Sequence, residues 1–401
     1  MATYFMPLKA NSIALIICAA ISLLFIKKLP LDKLVKFPLN IFLLLFVYLL
    51  IGMFYTQNEA VGWAIIERNY SLLFVPFIVS SFSILSLKQQ KWILNSFVFF
   101  TTAVAVYLLC YAIVDYFQTG SVYIEGKSGH PLYNKFMHHR LTEPLEIHAI
   151  YFALYLSFSF VYLLNHFIST IKRLPIVYKV SYIVLFLFYS LMIVLLKSAL
   201  FALAVPIAIS ILLLIHFGKK IFKKTSYLIA STVLIVALAA FSFYGVQSKI
   251  QNFSTDLKLT EEHPGPLKIR LGVWYCSWET IKDNFFLGVG TGDGDDALLE
   301  TYNEYDFFIG KRDQFNAHNM FLQYWISNGI LAVIIYLTLL LALSWHFYKC
   351  KNYPGFLLVF LFFAFSFTES TMMRQGGIVF FVFFSSLLYF RKNTSDHLIT
   401  S

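Results

Sequence analysis

Six ionisable residues lie at the ends of long apolar segments or in the connections between them. They are His148, Lys197, Arg270, His318, Glu369 and Arg374. Charged groups are costly next to hydrocarbon, so such residues are functional candidates by default. Lysine and arginine side chains can bind an anion, and a histidine ring or a carboxylate can exchange a proton. The set therefore contains the residue types for anion binding and for proton transfer.

A structural role is also open for several of these residues. Lys197 could extend its charged end from a helix terminus to the membrane surface. Glu369 and Arg374, five residues apart across a turn, could form a structural ion pair. His148 could simply pack against Tyr151 within a helix.

His318 stands at the start of an apolar segment. Asn316 is a good helix-capping residue type and predicts that His318 lies in the first turn of the helix. On the residues alone, a helix-start role and a functional role for His318 are equally open.

The composition excludes a soluble globular protein. The chain has 401 residues, of which 59% are hydrophobic and 13% charged, and aromatic residues reach 19%. Soluble proteins have roughly 45–50% apolar and about 25% charged residues. The apolar runs are continuous rather than alternating, which excludes an outer-membrane barrel. The four cysteines lie far apart, so neither a disulfide framework nor a CxxC metal site is indicated.

The apolar runs predict an all-α integral membrane protein with about eleven spans, because each run can cross a hydrocarbon core of roughly 30 Å. The spans are expected at 11–26, 39–55, 71–86, 92–117, 148–165, 180–196, 199–217, 226–245, 318–345, 354–368 and 377–390. This arrangement divides the chain into a transmembrane bundle at 1–245, a large periplasmic loop domain at 246–317, and C-terminal spans with a short tail at 318–401.

The charge distribution predicts the orientation. Loops after odd-numbered spans carry 17 of the 31 Lys and Arg residues and only two acidic residues. By the positive-inside rule this side, with the C-terminus, is cytoplasmic. The basic excess thus reflects topology, and no nucleic acid partner is expected. The six candidates share the opposite face, as a single site requires. An outer N-terminus is unusual without a signal peptide, so either the first helix is a reverse anchor or an N-terminal helix is missing; we favour the second, which would give twelve spans.

The centre of the loop domain predicts a helix that carries Arg270. On a wheel of 100° per residue, Trp274, Ser277, Trp278 and Ile281 share a face with the arginine. Arg270 is therefore expected on an inward-facing, apolar stripe.

Glycine-rich turns are expected after this helix. The run 284–292 predicts a helix stop and tight turns, because its glycines permit positive φ. The acidic run 290–296 resembles a calcium loop only superficially, and it predicts a solvated turn.

These motifs together resemble the O-antigen ligase and polymerase superfamily. The resemblance is closest over residues 268–345. It is carried by Arg270-Leu271-Gly272-Val273-Trp274, the turn Gly288-Val289-Gly290-Thr291-Gly292, the span opening His318-Asn319-Met320-Phe321-Leu322-Gln323, and Gly329-Ile330-Leu331.

The resemblance implies a multispan, C-type glycosyltransferase of the bacterial inner membrane. Such an enzyme takes a glycan from an undecaprenyl-diphosphate carrier at the periplasmic face and passes it to an acceptor hydroxyl. Ligases of this family act without a metal ion, so no metal or cofactor is expected. Lipid A core is the favoured acceptor. A repeat-unit polymerase is the alternative, and a transporter of lipid-linked sugars is less favoured, because transporters usually place their charges near the midplane.

The resemblance also implies residue roles. Arg270 is the first choice for binding the carrier diphosphate, because an arginine fork is well shaped for phosphate. The family commonly has a second arginine where this chain has Lys197, which keeps the charge but loses the bidentate geometry, so Arg374 could share the role. His318 matches the proposed general base, and a helix N-terminus would disfavour its positively charged form.

Two further assignments concern Glu369 and the loop 118–147. Glu369, if it is not paired with Arg374, could orient a cation or an acceptor hydroxyl. The loop 118–147, which contains Arg140, could contact the acceptor or the anionic lipids of the membrane surface, as His148 could at the start of the next span.

Overall fold

The computed structural model describes residues 2–5, 8–124, 133–221 and 266–391. Its helices are α1 (Leu8–Leu24), α2 (Leu31–Leu34), α3 (Asn40–Gly52), α4 (Glu59–Asn69), α5 (Ser71–Ser80), α6 (Leu87–Thr119), α7 (His138–Thr142), α8 (Ala149–Thr170), α9 (Ile176–Leu195), α10 (Ala199–Ile221), α11 (Pro266–Asp283), α12 (Gly294–Glu304), α13 (Phe308–Asp313), α14 (Met320–Lys349), α15 (Tyr353–Ser366) and α16 (Gln375–Phe390). Two short strands, β1 (Tyr123–Ile124) and β2 (Tyr133–Asn134), pair antiparallel in the loop after α6.

The prediction of an α-helical membrane protein is confirmed. Five helices of the described ranges are long and apolar enough to cross a membrane: Leu87–Thr119, Ala149–Thr170, Ile176–Leu195, Ala199–Phe217 and Met320–Lys349. Other predicted spans coincide with shorter apolar helices, including α3, α15 and α16. The predicted span 226–245 lies outside the described residues. The count of eleven, the twelfth helix and the domain boundaries therefore stay predictions.

The bundle is organised around α16, whose residues from Gly377 to Leu388 are all buried. It packs against α5 and α15, and α8 packs against α9, α10 and α15. Aromatic side chains fill the centre, with the rings of Phe97 and Phe384 4.6 Å apart and those of Phe362 and Phe381 stacked at 4.1 Å. Pairs of this kind add about 0.5–1.5 kcal/mol beyond their buried area. This packing fixes the helix ends on which the candidate residues lie.

The segment between α11 and α14 has a small hydrophobic core of its own. Val273 and Ile281 of α11 pack there with Leu298 and Tyr302 of α12 and with Ile326 of α14. Helices α11 and α12 also contact α14 directly. The segment is thus seated on the start of α14, the helix that follows His318.

Helix α14 is broken at Gly329, where φ is 74° and ψ is −176°. The turn after α11 docks into the break. It donates two backbone N–H groups to the carbonyls of residues 326 and 327, at 2.9 Å each, and Phe285 accepts the N–H of Ile330 at 3.1 Å. These bonds replace those that the helix loses at the break. A Cβ at position 329 would collide with the backbone of Phe286, so the contact requires glycine.

Residues 290–294 of the glycine-rich run form a largely buried joint, so the prediction of a solvated turn was wrong for them, whereas Asp295 and Asp296 are exposed at the start of α12. Thr291 is 1% exposed; its hydroxyl donates to the carbonyl of Leu49 at 2.7 Å and accepts from Asn328 at 2.8 Å. The carboxylate of Asp293 accepts the backbone N–H groups of residues 57 and 58 at 2.8 and 2.6 Å. The predicted positive φ is present at Gly288 and Gly290. This joint ties the loop segment to the end of α3.

Candidate active site

A large cavity opens where the ends of several helices meet the loop after α6. Its volume is about 1430 Å³. Five of the seven predicted site residues line it: Arg140, His148, Lys197, Arg270 and Arg374. The structure thus brings together residues that are up to 234 positions apart in the sequence, from Arg140 to Arg374.

Lys197 lies in the tight connection between α9 and α10. Only three residues separate Leu195 from Ala199, and Lys197 adopts a left-handed conformation with φ of 51°. The next residue, Ser198, lines the cavity and is 7% exposed, yet its hydroxyl has no hydrogen-bond partner among the described residues. A buried hydroxyl without a partner at a cavity wall indicates a position for a polar ligand atom.

Arg270 reaches the cavity from the first turns of α11, and the predicted helix is confirmed. The predicted inward stripe is confirmed in part: Ser277 and Ile281 are buried, whereas Trp278 is 43% exposed. The buried face also includes Val273, Cys276 and Thr280. Trp278 packs edge-on against Trp325 at the margin of the small core instead of inside it. Arg270 therefore lies at the edge of the buried face, where its side chain can reach the cavity.

His318 precedes α14, and two expectations about it were wrong. The cap of α14 is Asn319, whose side chain accepts the N–H groups of residues 321 and 322 at 2.9 and 3.2 Å. Asn316 instead accepts the backbone N–H of His318 at 3.0 Å. His318 thus lies outside the first turn, in a left-handed conformation with φ of 43°. A residue other than glycine with positive φ is uncommon and often marks a functional position.

Glu369 faces His318. Its Oε1 lies 3.5 Å from Nδ1 of the histidine, at the outer limit of hydrogen-bond length, so the contact is mainly electrostatic. The expected ion pair between Glu369 and Arg374 is absent among the described residues. Burial raises the pKa of Glu369, but the contact with His318, followed by the effects of His148 and Arg374, outweighs burial, so the pKa of Glu369 lies below its usual value.

The loop that carries Glu369 is fixed to the residues around His318. The Asn316 side chain accepts the Ser370 hydroxyl at 3.3 Å in addition to the His318 N–H, and the N–H of Met372 donates to the Met320 sulfur at 3.1 Å. Asn316 thereby joins the two loops through one oxygen. The contact of Glu369 with His318 is therefore set by the backbone on both sides.

Arg374 lies directly before α16, with an extended backbone at the helix start. Its neighbour Met373 accepts a hydrogen bond from Arg68 of α4 at 2.9 Å. Sequence reasoning missed Arg68, because it sits in a short polar helix with no motif and its partner is 305 residues away. Arg68 holds the chain next to Arg374, so it is a supporting residue of the cavity.

His148 belongs to a row of three histidine rings. The ring centroids of His138 and His139 are 4.1 Å apart, and those of His139 and His148 are 4.3 Å apart. The proposed packing of His148 with Tyr151 also occurs, with the rings perpendicular at 5.8 Å. Burial, followed by neighbouring positive groups, lowers the pKa of both His139 and His148 to about 4. These rings are neutral at neutral pH.

A comparison with protein families identifies the central part of the chain. Residues 183–337 match the family model described as O-antigen ligase. This match confirms the resemblance to the O-antigen ligase superfamily. The O-antigen ligase region includes Lys197, Arg270 and His318, whereas Glu369 and Arg374 lie beyond it. No curated protein matches the chain. The match supports a membrane glycosyltransferase of the ligase or polymerase type and implies a lipid-linked glycan donor.

Proposed function

We propose that this protein is a metal-independent, O-antigen ligase-like glycosyltransferase. It moves a glycan from an undecaprenyl-diphosphate carrier to an acceptor hydroxyl at the periplasmic face of the bacterial inner membrane, with lipid A core as the favoured acceptor. The observation that carries this proposal is the cavity lined by Lys197, Arg270 and Arg374, together with the adjoining pair of His318 and Glu369.

The three cationic residues suit the leaving group. Negative charge develops on the diphosphate as its bond to the anomeric carbon breaks, and fixed positive groups stabilise that charge most in the transition state. The guanidinium groups of Arg270 and Arg374 can each bind two oxygens, whereas Lys197 contributes a point charge. Together they can supply the positive charge that other glycosyltransferases take from a divalent cation.

His318 is the proposed general base. The acceptor oxygen forms a bond to the anomeric carbon, the bond from that carbon to the carrier oxygen breaks, and its electron pair leaves with the diphosphate. The acceptor proton passes to the free nitrogen of His318, Nε2. Glu369, on the Nδ1 side, stabilises the positive ring that results. A single displacement of this kind inverts the anomeric configuration.

The test of the base uses His318→Gln, which keeps the size and polarity of the side chain but cannot accept the proton. We expect a loss of about 10²–10⁴-fold in transfer by the purified protein. His166→Gln is the matched control. His166 lies near the end of α8 opposite to His148, where it is exposed and forms a hydrogen bond with Tyr182. Transfer at the wild-type rate by His318→Gln would contradict the base assignment.

The test of the diphosphate site uses Arg270→Lys, which keeps the charge and loses the fork. Transfer and binding of undecaprenyl diphosphate should both fall, with little rescue relative to Arg270→Ala. Equal activity of Arg270→Ala and wild type, at equal expression, would remove Arg270 from the mechanism.

The orientation of the site follows from the positive-inside count and is part of the proposal. In a cysteine-free background, Asn303→Cys at the end of α12 should react with an impermeant reagent in intact cells. Lys172→Cys, after α8, should react only after the membrane is opened. The reverse pattern would place the cavity in the cytoplasm and contradict the proposed donor.

The glycan structures that accumulate in a deletion strain distinguish a ligase from a polymerase. A ligase deletion should leave polymer attached to the carrier and none on the lipid A core. A core that carries a single repeat unit would instead indicate the alternative, a repeat-unit polymerase.

A further inference from the structure

The cavity is larger than its cationic part requires. Typical small-molecule sites occupy roughly 300–1,000 Å³, whereas this cavity measures about 1430 Å³. The loop between α6 and α8 contributes a separate set of lining residues, which we call the loop wall: Tyr123, Asn134, His138, His139, Glu143 and Glu146. The site therefore has room and polar groups for more of a substrate than its diphosphate.

The loop wall rests on a fixed base. Lys135 is 6% exposed; its ammonium group lies 2.6 Å from the Asp115 carboxylate and donates to Thr119 at 2.6 Å, both near the end of α6. Its backbone N–H donates to Val122 at 3.0 Å, next to the paired strands. This ion pair, whose lysine is buried, and these hydrogen bonds hold both flanks of the loop at the mouth of the cavity.

The charge of the loop wall differs from that of the helix ends. Arg140 beside it donates to both carboxylate oxygens of Glu143, at 2.8 and 2.9 Å, which compensates both charges. Burial lowers the pKa of His138, and of His139 to about 4, so both rings are neutral at neutral pH. The wall thus offers hydrogen-bonding groups, and its positive groups are paired or neutral. Such a surface suits an uncharged, polyhydroxylated ligand better than anionic membrane lipids.

Two buried polar atoms support a ligand in the same cavity. The Ser198 hydroxyl and Nδ1 of His148 are both buried, and neither has a hydrogen-bond partner among the described residues. Both residues line the cavity. Both atoms are therefore available for hydrogen bonds to a molecule in the cavity.

We propose that the loop wall binds an uncharged sugar unit of the transferred or accepting glycan through its hydroxyl groups. The inference rests on the proposed function and adds a specificity-determining surface to it. Carboxylate and amide oxygens accept hydrogen bonds from sugar hydroxyl groups, and the Tyr123 ring offers an apolar face on which the C–H side of a sugar can pack. A sugar with its own carboxylate in this place would face Glu146.

Photo-crosslinking in the native cell tests this surface, because the captured sugar is identified by its mass. Tyr123 is replaced by p-benzoylphenylalanine, a conservative change because both side chains are substituted phenyl rings. Tyr348 is the matched control: it is also an exposed tyrosine, 53% against 52%, but lies at the other end of the bundle. A third position, Leu200 in the first turn of α10, reports on the carrier lipid next to Lys197.

We expect the Tyr123 position to capture hexose or N-acetylhexosamine masses and the Tyr348 position to capture no glycan. Mild acid should release undecaprenyl diphosphate from the adduct if the sugar belongs to the donor, whereas lipid A fragments would mark the acceptor. Capture of carrier at Leu200 without sugar at Tyr123, or capture of uronic acids at Tyr123, would overturn the inference alone. No carrier at Leu200 would contradict the proposed function as well.

Discussion

The pair formed by Glu369 and His318 allows a quantitative prediction. Replacing Glu369 with glutamine removes the negative charge 3.5 Å from Nδ1 of the histidine and changes the side-chain volume little. If His318 accepts a proton in the transition state, the ring becomes positive at the moment when this charge is missing. The substitution should therefore raise the barrier of the transfer step more than it weakens substrate binding.

The size of the effect follows from Coulomb's law. Two unit charges about 4 Å apart interact by about 4 kcal/mol at an effective dielectric of about 20. The His318 side chain is 26% exposed, so solvent reduces this value, and we expect a barrier increase of about 1.4–2.8 kcal/mol. That range corresponds to a loss of about 10- to 100-fold in kcat.

The assay is glycan transfer by the purified protein from an undecaprenyl-diphosphate donor, with kcat and KM measured separately for wild type, Glu369→Gln and Glu369→Asp. The aspartate variant keeps the charge at a longer distance and should retain intermediate activity. A purely structural role would lower the unfolding temperature of both variants without this order in kcat. Wild-type kcat in Glu369→Gln would refute the reasoning.

Three further predictions concern the cavity and its frame. Lys197→Arg should keep or increase the transfer rate, because it introduces a bidentate group. Lys197→Ala should lower the transfer rate at least about tenfold, and initial rates of glycan transfer measure both effects. Gly329→Ala should destabilise the protein by clearly more than Gly120→Ala in thermal unfolding. Both glycines have φ near 70°, which costs a larger residue about 1–2 kcal/mol, but only position 329 meets neighbouring backbone. Folding lowers the pKa of His139 and His148 from 6.5 to about 4, so the unfolded chain binds more protons between these pH values. Stability should fall as the pH decreases through that window, and His148→Gln should flatten the slope of unfolding temperature against pH.

The membrane helices were predictable because a long run of apolar residues is what a helix needs to cross the hydrocarbon core. The break at Gly329 was not, since residues 318–345 read as one continuous apolar run and the bonds that replace the helical ones come from residues 285–290. The joint at Thr291 was missed for the same reason: its partner Leu49 is 242 residues away. Local patterns contain no information about a contact of that separation.

The sequence predicted which residues belong to the site better than it predicted which of them contact each other. Residue type and position at a helix end identified Lys197 and Arg374 as candidates, and both line the cavity. Proximity in sequence suggested that Glu369 would pair with Arg374, whereas the fold turns it to His318. The N-cap of α14 was misassigned because Asn316 and Asn319 are both suitable residue types for an N-cap, and only the backbone geometry distinguishes them.

The break in α14 has a consequence for how a bulky substrate can enter. The part of α14 after Gly329 has twenty residues, about 30 Å of helix, which by itself matches the thickness of the hydrocarbon core. The part before the break is hydrogen-bonded to the turn that follows α11, so His318 and Arg270 belong to one connected unit. We therefore expect the spacing between His318 and Arg270 to stay constant when a lipid-linked glycan enters.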